Sequence, residues 1–360
     1  MTATLNSGEF CGWDNGTLFL YGLGLLGGSP SRLVGDAQGV SNIEAPDAVR
    51  LYEAWYEQLF LGARLSILAG VYSLGSEFNV IRTAALFVNS SHGTNPTLGL
   101  SGRNGPSIFP YTSPGLRIKW IPHTGLALQL AVLDGVPGKP GYPHGTHILI
   151  RPGDGALVVA EADYLLLGGA TISNGPRWLR RHQASAVSQV PFRARFVLGT
   201  WRYTGKFPSL TRISMTGKPA QHKGSNGLYA QAEGQIFREP ADPDQGLSAF
   251  AQIGLANQQV NRFTRYLGVG CVYRGLVSGR AADRLGFAVA AAFNGQPYEE
   301  LQRRAGTALD RAEIDLEWTY LAPLSQWFAL QGDIQYVIHP NTDPSLGNAL
   351  MVDARILISF

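Results

Sequence analysis

From Asp310 to Phe360 the chain runs as three alternating segments separated by turns. In the first, Ala312, Ile314, Leu316, Trp318 and Tyr320 fall on one face, and Glu313, Asp315, Glu317 and Thr319 on the other. The second, after Pro323, sets Phe328, Leu330, Ile334, Tyr336 and Ile338 against Gln331, Asp333 and Gln335. The third, after Gly347, sets Leu350, Val352, Ala354, Ile356, Ile358 and Phe360 against Asp353, Arg355 and Ser359. A period of 2 is the signature of a strand. Each segment has about ten residues, enough to cross a bilayer core when tilted. Trp318, Tyr320, Trp327, Phe328 and Tyr336 gather near strand ends, as in the aromatic girdles of outer-membrane barrels. The pattern therefore favours a membrane barrel over a soluble β-domain.

The same alternation extends backwards. Strands are predicted at 17–26, 50–59, 64–72, 115–120, 126–133, 156–166, 192–201, 228–236, 247–255, 266–276 and 285–293. With the final three this makes about fourteen, spaced too closely for intervening helices and so joined as antiparallel hairpins. In the strand at 50–59, Tyr52, Ala54 and Tyr56 share one face and Glu53, Trp55 and Glu57 the other. Residues 89–114 form the longest stretch without strand pattern, and a loop of that length is usually functional. Gly22, Gly24 and Gly27 match a dinucleotide-binding spacing, but Gly28-Ser29-Pro30 follows where a helix would have to open.

Composition sharpens the class. Only 15% of the 360 residues are charged, against about 25% in soluble proteins. The net charge is +3 and the basic residues are scattered, so no nucleic-acid partner is expected. No apolar run reaches the roughly 18 residues of a membrane helix. Cys11 and Cys271 fit neither a disulfide framework nor a metal site, and Cys271 falls in an apolar phase. His144 and His147 stand three apart in a Gly-rich loop without neighbouring carboxylates; no metal and no cofactor are expected. Glu313, Asp315 and Glu317 resemble a glycosidase pair. Residues two apart on any strand lie about 6.5–7 Å apart by geometry alone, so no enzyme is expected.

The inward face collects the candidate pore lining. Arg117, Lys119, Arg193, Arg195 and Arg355 are basic; Glu53, Glu57, Glu161, Asp163, Glu233, Glu313, Asp315, Glu317, Asp333 and Asp353 are acidic. Opposed rows would set a transverse field across a pore; alternatively the charges pair with one another in a wet lumen. The inward aromatics Trp55, Tyr72, Trp201 and Tyr229 could stack on sugar rings or simply pack.

Several stretches resemble the OprB-type carbohydrate-selective porins of Gram-negative outer membranes: LVGDAQGVSNIEAPDAVRLYEAWYEQ (33–58), LAGVYSLGSEF (68–78), LFVNSSHG (86–93), GPSIFPYTSPGLRIKW (105–120), AVLDGVPG (131–138), GDGALVVAEADY (153–164), GLYAQAEGQIFRE (227–239) and LSAFAQIG (247–254). The resemblance runs over residues 17–360. It implies a transmembrane up-and-down antiparallel β-barrel of about sixteen strands that passes sugars passively in the outer membrane. Mono- or oligosaccharides and outer-membrane lipid are then the partners, and a homo-oligomer is compatible with the sequence. Family members carry a signal peptide and further strands in front, so residues 1–16 are expected to be a disordered or non-native lead. In the resembling porins a long loop narrows the barrel, and 89–114 is expected to do so here. Arg103, its only unambiguous charge, is expected to enter the eyelet with Arg117, Arg193 and Arg195 behind it. The alternatives are a general ion-selective porin and, from another class, a soluble β-domain that binds carbohydrate.

Overall fold

The computed structural model describes residues 1–8, 12–139, 141–167, 192–242 and 244–359; Cys11 and Phe360 lie outside them. Among the described residues, fifteen strands form one antiparallel sheet in strict chain order. They are β1 (Thr2–Asn6), β2 (Gly16–Leu25), β3 (Ala48–Phe60), β4 (Leu65–Tyr72), β5 (Ser113–His123) and β6 (Leu126–Asp134). Then follow β7 (Ala156–Leu167), β8 (Phe192–Ile213), β9 (Pro219–Arg238), β10 (Gly246–Ala256) and β11 (Phe263–Arg274). The series closes with β12 (Arg284–Asn294), β13 (Ala312–Pro323), β14 (Phe328–Ile338) and β15 (Ala349–Ile358).

Three expectations are corrected. Within the expected lead, Thr2–Asn6 forms β1 and pairs with Thr17–Tyr21 of β2; the segment is too short for its alternation to stand out. Strands β8 and β9 reach 22 and 20 residues, well past the ten read from the pattern, because a hairpin can extend beyond the bilayer with a merely polar surface. Short helices do occur in the connections, such as Gln296–Arg304.

The wall is inside-out relative to a soluble sheet. Along β14 the positions alternate between buried and exposed: Gln331, Asp333 and Gln335 are buried while Leu330, Ile334 and Tyr336 are exposed. Leu198, Val352 and Ile356 are likewise open. A soluble fold would reverse these assignments; a barrel in lipid requires them. Cys271 sits half-buried on the same outer phase as Leu267 and Val269. The aromatics Trp13, Phe60, Trp120, Tyr164 and Trp327 are all exposed and gather at one end. The brief turns 61–64, 124–125 and 324–327 lie at that end, while the long connections 26–47, 73–112 and 135–155 lie at the other.

Candidate functional site: the inward loop and its vestibule

The segment between β4 and β5, residues 73–112, enters the lumen and touches strands nearly all the way round the sheet order. The buried run starts at Leu74, well before the expected 89, because Leu74, Phe78, Ile81, Leu86 and Phe87 make its first half apolar rather than loop-like. One short segment can meet both β3 and β14 only if the sheet curls around it.

The contacts follow a pattern. The loop presents main-chain N–H groups and the wall presents carboxylates. Ser73 N–H donates to Glu53 at 2.9 Å and Asn79 N–H to Glu161 at 2.8 Å. Arg82 and Thr83 N–H both donate to Glu233, at 3.2 and 2.8 Å. Val88 and Asn89 N–H donate to Glu317 at 2.5 and 3.1 Å. The connection between β2 and β3 is held in the same way: Ala37 and Gln38 N–H each donate to Glu313 at 2.8 Å. Amides complete the set, with Gln331 donating to Leu86 C=O and Gln335 to Val40 C=O. A buried carboxylate needs donors for its lone pairs, and a buried loop needs acceptors for its N–H groups. Each supplies what the other lacks, through charge-assisted bonds. At Gly254 the loop lies so close that a Cβ would meet Thr97 Oγ1 at 2.5 Å.

The expected pore charges are therefore placed differently from the expectation. Glu53, Glu57, Glu161, Glu233, Glu313, Asp315 and Glu317 are all at most 6% exposed. Arg117 lies between Glu57 at 2.8 Å and Glu77 at 2.7 Å, and Lys119 approaches Glu77 at 3.7 Å. Burial disfavours the Glu77 carboxylate, but Arg117 and Lys119 outweigh it and hold its pKa below the usual value. Arg195 lies between Asp163 at 2.9 Å and Glu233 at 3.0 Å. Arg117 and Arg195 are each neutralised on the spot by two carboxylates, so the opposed rows do not form. Asp333 faces Asp353 across β14 and β15, and Arg355 donates to Asn42 at 2.9 Å. Burial alone pushes the His92 imidazole down to about 3, so its 3.8 Å approach to Glu317 is a contact of a neutral ring.

The four-arginine eyelet is also not assembled. Arg103 leans on the wall: its guanidinium donates to Gly153 C=O at 2.7 Å and Lys206 C=O at 3.2 Å, 3.6 Å from Asp154. Arg193 is exposed at the start of β8, beside a register shift, while Arg117 and Arg195 are occupied as described. The inward aromatics are on the expected face, but Trp55, Tyr72, Trp201 and Tyr229 are at most 7% exposed and pack against Leu74, Phe78 and Leu98 of the loop.

The open space lies toward the long connections. A cavity of about 480 Å³ is bounded by the 26–47 connection, the inward loop and strands β2 and β3, within the roughly 300–1,000 Å³ of small-molecule sites. Its polar groups are mostly uncharged, among them Gln38, Ser41, Asn42, Ser73, Ser76 and Thr94, and Glu44 and Glu53 line it as well. Three rings join them. Tyr21 meets Tyr52 edge-on, centroids 5.2 Å apart, and Phe109 lies 6.3 Å from Tyr52.

Tyr52 corrects the strand reading. It was assigned to the outer face with Ala54 and Tyr56, yet it is 7% exposed, lines this cavity and donates to Ser73 Oγ at 3.0 Å. The cause is a bulge: Tyr21 pairs with Glu53 and Gly22 with Leu51, leaving Tyr52 as the extra residue. One inserted residue inverts the parity on one side of it, and alternation alone gives no warning of that.

The family described as carbohydrate-selective porin, OprB family, matches residues 2–360. Porin B of Pseudomonas aeruginosa is 24% identical over 160 residues, taking in 41% of this chain and 35% of that protein. The aligned part thus spans about a third of this curated relative. The high-pH structure of Pseudomonas putida OprB superposes with a TM-score of 0.83 at 20% identity, over 100% of this chain and 86% of that one. The low-pH structure of the same protein gives 0.56 at 17% identity, over 100% and 83%. The likeness identifies the fold as that of a porin barrel.

Proposed function

As the chain belongs to the OprB family of carbohydrate-selective porins, we propose that it is an outer-membrane channel for passive diffusion of small sugars. The vestibule serves as its recognition site and the inward loop as its constriction. The observation that carries this reading is the cavity of about 480 Å³ beside the loop, lined by hydroxyls, amides and three aromatic rings. A sugar has hydroxyls around its rim and C–H groups on its faces. Ser, Asn and Gln side chains can exchange hydrogen bonds with the rim, while a ring such as Tyr21 or Tyr52 covers a face. Neutral partners bind weakly enough for release, which conduction requires. Arg103 contributes by tying the loop tip to the wall at Lys206 and Gly153. The charged residues of the inner wall act by holding the constriction in place.

The test is planar-bilayer conductance with a series of neutral sugars. Monosaccharides are expected to reduce the ion current in a saturable way, and sugars too large for the vestibule to reduce it less. An ion current indifferent to every sugar would favour a general ion-selective porin. A chain that purifies folded without detergent would overturn the membrane assignment.

A further inference from the structure

On the outside of the wall an apolar groove of about 590 Å³ follows β7. Its floor is made of two methyl groups in file, Ala160 and Ala162. Leu130 and Leu128 of β6 pair with them on one side, and Thr200 and Leu198 of β8 on the other. Ile118 and Leu228 stand further out on the two flanks. Small residues thus lie between two taller rows, and Ile118, Leu130, Leu198 and Leu228 are all exposed. Two residues past Ala162, toward the short turns, stands the exposed Tyr164.

Toward the long connections the next outward position on β7 is Val158, and Arg202 of β8 is paired with it. Arg202 follows Ala194, Phe196, Leu198 and Thr200 on the outward face of β8 and is the first charge after them. Beyond it the long strands β8 and β9 run on as a hairpin. Lys206 and Lys223 pair across that hairpin and, like Arg202, are exposed. Phe207, the neighbour of Lys206, is buried on the inner face. Among the described residues no hydrogen bond or ion pair engages the side chains of Arg202, Lys206 or Lys223. The sequence holds no Asp or Glu at 192–232 or at 245–282. Glu233 is turned inward to the loop, and Glu239, Asp242 and Asp244 lie at the short-turn end. Asp154 of the neighbouring connection is engaged by Arg103 at 3.6 Å and by Arg151 N–H at 3.2 Å. Past Pro208 the hairpin tip turns to the β10–β11 connection, Leu210 N–H donating to Gln259 C=O at 2.8 Å, so Arg212 and Lys218 are not counted with the three.

Long connections face the exterior in outer-membrane barrels. The three cations then stand at the headgroup level of the outer leaflet, with the groove at acyl depth beneath them. We propose that this face of the barrel binds a phosphorylated lipid of the outer leaflet, one acyl chain lying along Ala160 and Ala162 and the phosphate held by Arg202, Lys206 and Lys223. Arg202 and Lys206 are four residues apart, about 13 Å of strand, a gap that two long side chains can bridge around one phosphate. An anion beside Lys206 and Lys223 offsets the repulsion of like charges set opposite one another. The chain and the headgroup supply two separate attractions, which together give lasting lipid attachment where one alone is marginal. The inference rests on the membrane assignment and not on which solute the channel passes.

The test is native mass spectrometry of the folded chain in a non-ionic detergent, titrated with diphosphorylated lipid A, with phosphatidylcholine and with inorganic phosphate. Lipid A is expected to bind at least tenfold more tightly than phosphatidylcholine, and inorganic phosphate not to be retained. R202Q/K206Q/K223Q is expected to weaken lipid A at least tenfold and to leave phosphatidylcholine within twofold. A160F fills the groove without touching a cation and is expected to weaken lipid A at least threefold. Should the triple variant not fold, K206Q/K223Q changes only two exposed side chains and is expected to fall between it and wild type. Lipid A and phosphatidylcholine bound within twofold of each other, or a folded charge variant that binds lipid A as wild type does, overturns the site. Inorganic phosphate retained as firmly as lipid A, or A160F without effect, overturns the lipid as its occupant. Sugar block of conductance on the same preparations reports separately on the channel reading: its absence in wild type would sink that reading and leave the lipid titration to decide this one.

Discussion

The wall beneath the inward loop and the wall of the vestibule above it belong to one lumen, and the same alternation of residues builds both. Their chemistry differs. Beneath the loop stand Glu161, Glu233, Glu317, Arg117 and Arg195, all buried and all bonded to protein. Around the vestibule stand Gln38, Ser41, Asn42, Ser76 and Thr94 beside open space. Full charges hold protein to protein, where donors are fixed and desolvation is compensated. On the proposed function, uncharged groups face the solute, where a strong grip would stop transport. The opposite division, with charged side chains meeting the solute, is what the sequence pattern alone suggests.

The largest test of this division is Glu233→Ala. It removes the acceptor of Arg82 N–H, Thr83 N–H and Arg195 together. Breaking a buried pair of this kind typically costs about 3–5 kcal/mol, so urea unfolding should shift strongly and the open-channel current should rise as the loop loosens. A loss below about 1 kcal/mol with unchanged current would show that the carboxylates do not hold the loop.

Next in size is Ile334→Arg on the outer face, expected to cost about 2–4 kcal/mol near the bilayer midplane. The informative partner is Gln335→Arg. Its inward position reads as tolerant in the sequence, but the Gln335 amide bonds Val40 C=O and Asp333 and is fully buried. Leaving those groups unmet should cost roughly 1–3 kcal/mol. A heat-modifiability midpoint unchanged by Gln335→Arg would mean that this stretch of wall faces water after all.

Tyr52→Ala acts on the vestibule instead. Loss of one ring should weaken sugar block by roughly three- to tenfold, on the order of 1 kcal/mol. Equal block by the variant and the wild type would remove Tyr52 from the site. Arg103→Ala should do least: its pair with Asp154 is partly exposed, and such pairs contribute under about 1 kcal/mol. A clear change in reversal potential, with stability unchanged, would put Arg103 back in the eyelet.

The fold was largely legible because parity is robust over long strands. Glu313, Asp315 and Glu317 are inward and Ile334 and Ile356 outward, as their spacing predicts. What parity cannot carry is depth. Trp55, Tyr72, Trp201 and Tyr229 were given the correct face, but whether an inward ring meets solvent depends on a loop folded over it. Nor does parity survive an inserted residue, as Tyr52 shows. Arg103 was misjudged for a third reason: its partners Gly153 and Asp154 come from a distant connection, and Lys206 from the stretch of β8 beyond the predicted strand, neither of which a local pattern specifies.

The belt of carboxylates grips the loop by its main chain, at Asn79, Thr83, Val88 and Asn89. Every residue type except proline carries that N–H group. That part of the attachment does not depend on which side chain stands there, while Glu77 and Arg103 add side-chain ties of their own. A channel built this way can be retuned to a new solute by point substitutions in 73–112 while the wall stays untouched, and the change it refuses at the gripped positions is proline.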